Sequence, residues 1–169
     1  MFGKEYTASL SITNKAITFA TMLIFAGLTY LALDKIIHAP DNTDKLLASL
    51  VLAGLLLILL ITYSFSPRKY SIWQGELIIH RLIGSVRIPL TDIAEVRKID
   101  KGDLRGSIRT FGVGGLFGNF GKFYNRKFGR MTFFVTQNKN LLLIFTKKGK
   151  KIVLSPDDAT MAERLLEHK

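Results

Sequence analysis

Two stretches of this chain are apolar on every helical face, and the remainder changes character every few residues. Ala16 to Leu33 runs for 18 residues without a charge, and Leu46 to Phe65 for another 20. Neither carries the polar stripe that recurs every 3.6 residues on a surface helix. At about 1.5 Å of rise per residue, twenty residues reach about 30 Å, the thickness of a bilayer's hydrocarbon core. A segment inside that core must satisfy its own backbone hydrogen bonds. The pattern therefore predicts transmembrane helices over residues 16–37 and 46–65, with Tyr30, Tyr63 and Phe65 near headgroup depth. A cleaved signal peptide competes for the first segment, but the apolar run is too long and no small-residue cleavage site follows it. A buried helix of a soluble domain competes for the second; its Leu-rich, Pro-free length argues against that.

Residues 38–45 form the external connection, the centre of a polar stretch from Asp34 to Lys45 with Pro40 and Asn42 as turn formers. So short a link makes the helices antiparallel and puts both termini on one side. Lys35 and Lys45 flank the link, against Lys4, Lys15, Arg68, Lys69 and Arg81 on the opposite side, two cations against five. The asymmetry predicts that residues 1–15 and 66–169 are cytoplasmic and that the chain is a multi-pass protein of the inner membrane.

Ser66-Pro67-Arg68-Lys69 ends the second apolar run, and short β-type runs follow. Strands are predicted at Tyr70–Gln74, Leu77–Leu82, Val86–Ile88, Ile93–Ile99, Met131–Thr136, Leu141–Thr146 and Lys151–Leu154. Gln137–Asn140 and Lys147–Lys150 read as hairpin turns. A closing helix is predicted from Ser155-Pro156-Asp157-Asp158, with Ser155 as cap, Pro156 in the first turn and the aspartates at the positive end of the dipole. Met161, Ala162, Leu165 and Leu166 give that helix one apolar face. About seven strands and a helix in about a hundred residues make a small β-barrel or sandwich closed at one end.

Composition explains how a chain can be both oily and basic. Hydrophobic residues make up 48% of the 169, mean hydropathy is +0.24, and the net charge is +11. All of that net charge lies beyond residue 65, where 20 Lys and Arg face 9 Asp and Glu. The chain has no cysteine, which excludes disulfides, thiolate nucleophiles and thiolate metal sites. His38, His80 and His168 are far apart in sequence, so neither a metal site nor a catalytic set emerges, and no cofactor is expected. Asp100 and Asp103 flank Gly102 as ordinary turn residues. A pI near 10 raises the question of nucleic acid, but no recognition motif accompanies it and that partner is disfavoured.

One block is too unusual for generic turn composition: Arg109-Thr110-Phe111-Gly112-Val113-Gly114-Gly115-Leu116-Phe117-Gly118, followed by Phe120-Gly121-Lys122-Phe123-Tyr124. With the strand count, Ile93-x-x-Val96 and the closing Ser-Pro-Asp-Asp helix, it makes residues 66–169 resemble the bacterial pleckstrin-homology-like (PH-like) domains, here behind an N-terminal transmembrane hairpin. The resemblance implies an all-β fold of two bent antiparallel sheets with a C-terminal capping helix, and no enzymatic activity. Eukaryotic PH domains that bind inositol lipids use a basic loop between the first two strands. Gln74-Gly75-Glu76 is short and not basic, so that mode of recognition does not carry over.

Between Phe111 and Arg130 lie six glycines and five phenylalanines. The spacing of Gly112, Gly114 and Gly118 is wrong for a dinucleotide fingerprint, and no βαβ unit surrounds it. Phe111 and Phe117 are expected to tuck into the barrel. Phe120, Phe123, Lys122, Arg126, Lys127 and Arg130 are expected to face a partner or the membrane, joined by Arg68 and Lys69 at the helix end. Two spanning helices hold a protein far more firmly than a few cations, so such contacts would orient the domain or select headgroups. The expected function is a membrane-tethered, non-enzymatic interaction or scaffolding module at the inner leaflet. Two alternatives stand beside it: recognition of anionic phospholipid headgroups by Arg68, Lys69, Lys122, Arg126 and Lys127, or an accessory subunit of a membrane transport or secretion complex. In the last, Thr18, Thr21, Thr29, Tyr30 and Ser49 would meet helices of another membrane protein.

Overall fold

In a computed structural model, residues 4–167 are described; His168 lies outside them. Two long helices come first, α1 (Ile12–His38) and α2 (Asn42–Phe65). Both outrun their apolar cores because local caps extend them. The Ser11 side chain accepts from the Asn14 N–H at the start of α1, and Asp41 accepts from Thr43 N–H at the start of α2. The link shrinks to Ala39–Asp41, and the helices pack side by side as a hairpin. Both are long and apolar enough to cross a membrane, and 94% of each apolar window lies outside the protein's interior (6% buried).

Ten strands follow the expected alternation less simply than the sequence suggests. Glycine-rich residues 108–125, where the sequence predicts no strand, hold two. The N-terminal segment also contributes one: β1 (Lys4–Thr7) pairs antiparallel with β2 (Lys69–Trp73), so Tyr6 faces Tyr70. β3 (Glu76–His80) and β4 (Val86–Pro89) complete a four-stranded sheet in the order β1-β2-β3-β4. The second sheet contains β5 (Ile93–Ile99), β6 (Ile108–Gly115), β7 (Gly118–Asn125), β8 (Gly129–Val135), β9 (Leu141–Thr146) and β10 (Lys151–Leu154). Its order is β5-β9-β10-β8-β7-β6. Here the expectation of purely antiparallel sheets fails. β10 inserts between β8 and β9 and pairs parallel to β8, so Gln137–Asn140 is a crossover connection and not a hairpin turn.

Alternation along the six-stranded sheet separates two cores. Phe134, Leu142, Ile144, Ile152 and Leu154 face the four-stranded sheet and α3 (Thr160–Glu167), packing on Tyr6, Tyr70, Leu77, Ile79, Met161 and Leu165. Their neighbours Met131, Phe133, Leu141, Leu143 and Val153 face the other way, against Phe123 and Phe128. A sheet buried on both faces reads as continuous apolar runs, as in Leu141–Ile144.

The closing helix starts four residues later than its cap signature predicts, at Thr160 in place of Pro156. Ser155 Oγ accepts from the N–H groups of Thr136 (2.8 Å) and Gln137 (3.2 Å). Asp157 turns to the N-terminal segment, accepting from Ser9 Oγ and Thr7 Oγ1, both at 2.6 Å, and from Gln137 Nε2 at 2.8 Å. Burial raises the Asp157 pKa, but the Ser9 and Thr7 hydrogen bonds outweigh it and hold the carboxyl below its usual range. Tyr70 donates to Phe134 O at 2.6 Å, and burial pushes its phenol up to about 12.

Candidate functional site

Everything singular about the sequence converges where the helices meet the sheets. The β6–β7 hairpin is twisted through two facing glycines: Gly112 and Gly121 are cross-strand partners, at φ +111° and +118°. A Cβ on either would sit 2.7 Å from the other's Cα, so only glycine fits this approach. Leu116 and Phe117 form the two-residue tip. Phe117 sits at φ +55°, a conformation that costs a phenylalanine energy and that its surroundings hold in place. Its N–H donates to Thr18 Oγ1 of α1 (3.0 Å), its carbonyl accepts from Ser66 Oγ just beyond α2 (2.7 Å), and Tyr63 packs edge-on at 5.3 Å. Beside it, a Cβ on Gly115 would come within 2.8 Å of Ile17 on α1.

A second clasp joins the start of α1 to the sheet. Thr136 O accepts both the Ser11 N–H (2.9 Å) and the buried Asn14 Nδ2 (2.7 Å). Burying an amide among apolar groups is tolerated because it is hydrogen-bonded. Thr18, expected to meet a neighbouring protein's helix, is thus spent within this chain.

The hairpin also forms a groove with α2. Its walls are Ile61 and Phe65 of the helix and Phe111, Val113, Phe120 and Phe134 of the sheet, enclosing about 540 Å³. Arg81 stands at this groove, its guanidinium donating to Gly84 O and lying over the rings of Phe65 (5.3 Å) and Phe134 (5.9 Å). Burial pulls its pKa below the usual arginine value. Next along the same strands is a cleft of about 450 Å³ lined by Lys122, Arg130, Lys150 and Lys151 with Thr110 and Thr132. No carboxylate lines either space. Lys122 and Thr132 border both.

Two of the expected contact residues are corrected. Phe120 and Phe123 are 6% and 7% exposed; the first joins the inter-sheet core, and the second stacks on Phe133 at 4.2 Å. Phe111, expected inside, is 77% exposed because a bulge at Arg109/Phe111 turns it out near the sheet edge. Phe117 is half-buried against the helices. The cations divide as well. Lys69 pairs with Glu5 (2.7 Å) and Lys127 with Asp103 (2.6 Å), while Arg68 lies over the Tyr63 ring at 4.5 Å. Arg126 is exposed in the β7–β8 turn. Of the eight expected contact residues, Lys122, Arg130 and the largely buried Phe123 line the basic cleft. Arg81, Lys150 and Lys151 were missed. The run Lys147-Lys148-Gly149-Lys150 announced only a turn, and its meeting with Arg130 depends on β10 lying next to β8.

His80 bonds Ser71 Oγ through Nε2 at 2.8 Å, and burial together with Lys69 lowers its pKa. His38 sits beside Asp34 at the end of α1 (3.2 Å). No group of three metal-ligating side chains gathers among the described residues.

No curated protein and no solved structure matches this chain. The family model described as "Bacterial PH domain" matches residues 68–169, more than half of the sequence, leaving β1 and both long helices outside the match. Two packed sheets closed by a C-terminal helix agree with that match, and the chain belongs to the bacterial PH domain family.

Proposed function

We propose that this protein is a membrane-tethered, non-enzymatic interaction module whose two helices cross the inner membrane and whose β-domain lies on the cytoplasmic side. PH domains are generally binding modules without catalytic activity, and they commonly bind lipids or proteins. The observation that carries the reading is the double clasp of Thr18, Ser66 and Phe117 at the hairpin tip and of Ser11 and Asn14 on Thr136. It sets the domain in one orientation to the helices, as a scaffold at a membrane surface requires. The excess of Lys and Arg on the side of the termini supports the cytoplasmic placement.

The outer edge of β6 is the surface offered to a protein partner. It is the last strand of its sheet and bears exposed Ile108 and Phe111. An unpaired edge with apolar side chains beside it suits addition of a partner's extended segment.

The chain's lack of cysteine makes the topology directly testable. A membrane-impermeant maleimide added to intact cells is expected to label Asn42→Cys at the first residue of α2, next to the helix link, and to leave Asn138→Cys in the domain unlabelled until lysis. The reverse pattern, or release of the chain by alkaline carbonate, overturns the tether. A photo-crosslinker at Phe111 is expected to give one defined protein adduct in membranes, lost with Ile108→Lys; adducts to lipid alone overturn the protein-scaffold reading.

A further inference from the structure

The groove against α2 and the basic cleft beside it are neighbouring cavities that share Lys122 and Thr132 in their walls, and polarity runs along the strand register from one to the other. Across β7 and β8, Phe120 faces Phe134, then Lys122 faces Thr132, then Tyr124 faces Arg130. These alternate positions share one face of the sheet. Walking along it, the surface passes from aromatic, through a residue pair that borders both spaces, to cationic. The apolar end is closed by Ile61 and Phe65 of α2, whose own outward surface is exposed hydrocarbon.

Charge at the other end is uncompensated. Lys122, Arg130 and Lys150 make no ion pair with a carboxylate among the described residues, whereas Lys69, Lys127 and Lys148 each do. Of the four cations lining the cleft, Lys151 donates to Phe128 O; the other three repel one another, and an anion placed between them relieves that repulsion. The Thr110 and Thr132 hydroxyls add polar lining. The apolar end cannot host that anion, since its walls are almost wholly side-chain carbon, Arg81 already donates to Gly84 O, and its other cation, Lys122, stands at the border with the basic cleft.

We infer that this composite cavity seats a single phosphate-bearing phospholipid, an acyl chain in the groove against α2 and its anionic headgroup between Lys122, Arg130 and Lys150. The inference rests on the proposal that α2 lies in the bilayer, which brings the groove beside lipid. It differs from lipid recognition by scattered surface cations: Lys69 and Lys127 are already paired, and the seat needs both the helix and the sheet.

The test uses the full chain, purified in nonionic detergent, delipidated and titrated with phosphatidic acid, phosphatidylcholine or soluble glycerol phosphate, with bound molecules counted by native mass spectrometry. One phosphatidic acid per chain is expected, bound at least tenfold more tightly than phosphatidylcholine. At roughly fivefold per cation near a membrane surface, Lys122→Ala with Arg130→Ala should remove that preference. Val113→Phe, which fills the groove and leaves the cations in place, should abolish retention of the lipid. Equal binding of both lipids, or an unchanged preference in the double variant, overturns the seat. Glycerol phosphate competing as well as the lipid overturns the acyl-chain half and leaves an anion cleft only. Maleimide labelling of Asn42→Cys in the same variants separates the two readings. Unchanged labelling with lost selectivity supports the seat, and unchanged labelling with unchanged selectivity refutes the seat while the tether stands. Labelling that reverses in the parent chain refutes the tether itself.

Discussion

The helical hairpin and the β-domain handle apolar side chains by opposite rules. In the domain, Leu77, Ile79, Leu143, Ile144 and Leu154 lose all contact with solvent, and β8, β9 and β10 carry buried side chains on both faces of their sheet. In α1 and α2, many Leu, Ile and Phe side chains are exposed, and buried side chains such as Asn14, Ala32, Ala48, Thr62 and Ser64 are small or polar. This inversion is costly in water and natural in hydrocarbon, where apolar surface has nothing to gain from being buried and small residues let helices approach. On the proposed tether, one chain serves two solvents, and the helices meet the β-domain at the Phe117 clasp.

The comparison can be broken most forcefully with paired leucine truncations. Leu143→Ala, at a fully buried position, is expected to cost about 2–5 kcal/mol, whereas Leu57→Ala on the exposed side of α2 should change stability by less than about 1 kcal/mol. Thermal unfolding of the two variants in detergent checks this, and equal losses would mean that α2 is packed like a soluble core. The next effect tests the boundary. Gly121→Ala must adopt φ +118° against the Gly112 backbone, and a loss of about 2 kcal/mol is expected together with weakened docking of the hairpin tip. Hydrogen exchange at Phe117 N–H should rise in this variant, whereas exchange within α2 should not.

The smallest effect concerns the β1 clasp on the domain. Asp157, Asp158, Asp103 and Glu5 all have depressed pKa values in the folded chain. Each adds stability that is complete above the ordinary carboxylate value of about 4 and is lost as the pH falls through its lower folded value. Asp157→Asn, which keeps the shape and removes the charge accepting from Thr7 and Ser9, should cost about 1 kcal/mol at pH 7. At pH 3 the gap between variant and parent should narrow, as read by the pH dependence of thermal unfolding.

Legibility followed the range of the interactions involved. The helices were plain because a long apolar run is a property of composition along a line, and β2–β5 and β8–β10 were near their expected places because period-two alternation is equally local. The strands β6 and β7 were missed because their glycines carry no side chains to alternate; what shapes them is the contact of Gly112 with Gly121. β1 was missed because four residues pair with a strand more than sixty positions away. Ser155-Pro156-Asp157-Asp158 has the chemistry of a helix cap, and the same hydroxyl and carboxylate found better donors in Thr136, Gln137 and Ser9. Phe111 and Phe120 took the opposite of their expected places for two non-local reasons: a bulge in β6 turns Phe111 out, and pairing of β7 with β8 sets Phe120 beside Phe134 in the inter-sheet core.

By itself, the amino-acid sequence determined that this protein has an oily third and a basic, β-rich remainder, that thiol chemistry is absent, and that the domain is PH-like. Tertiary structure alone decided that the two parts are clasped into one body, which phenylalanines are core, and that Lys122, Arg130 and Lys150 stand together. The physical reason is that composition and periodicity set what each segment prefers to touch, whereas strand order and register choose which of many acceptable partners it meets.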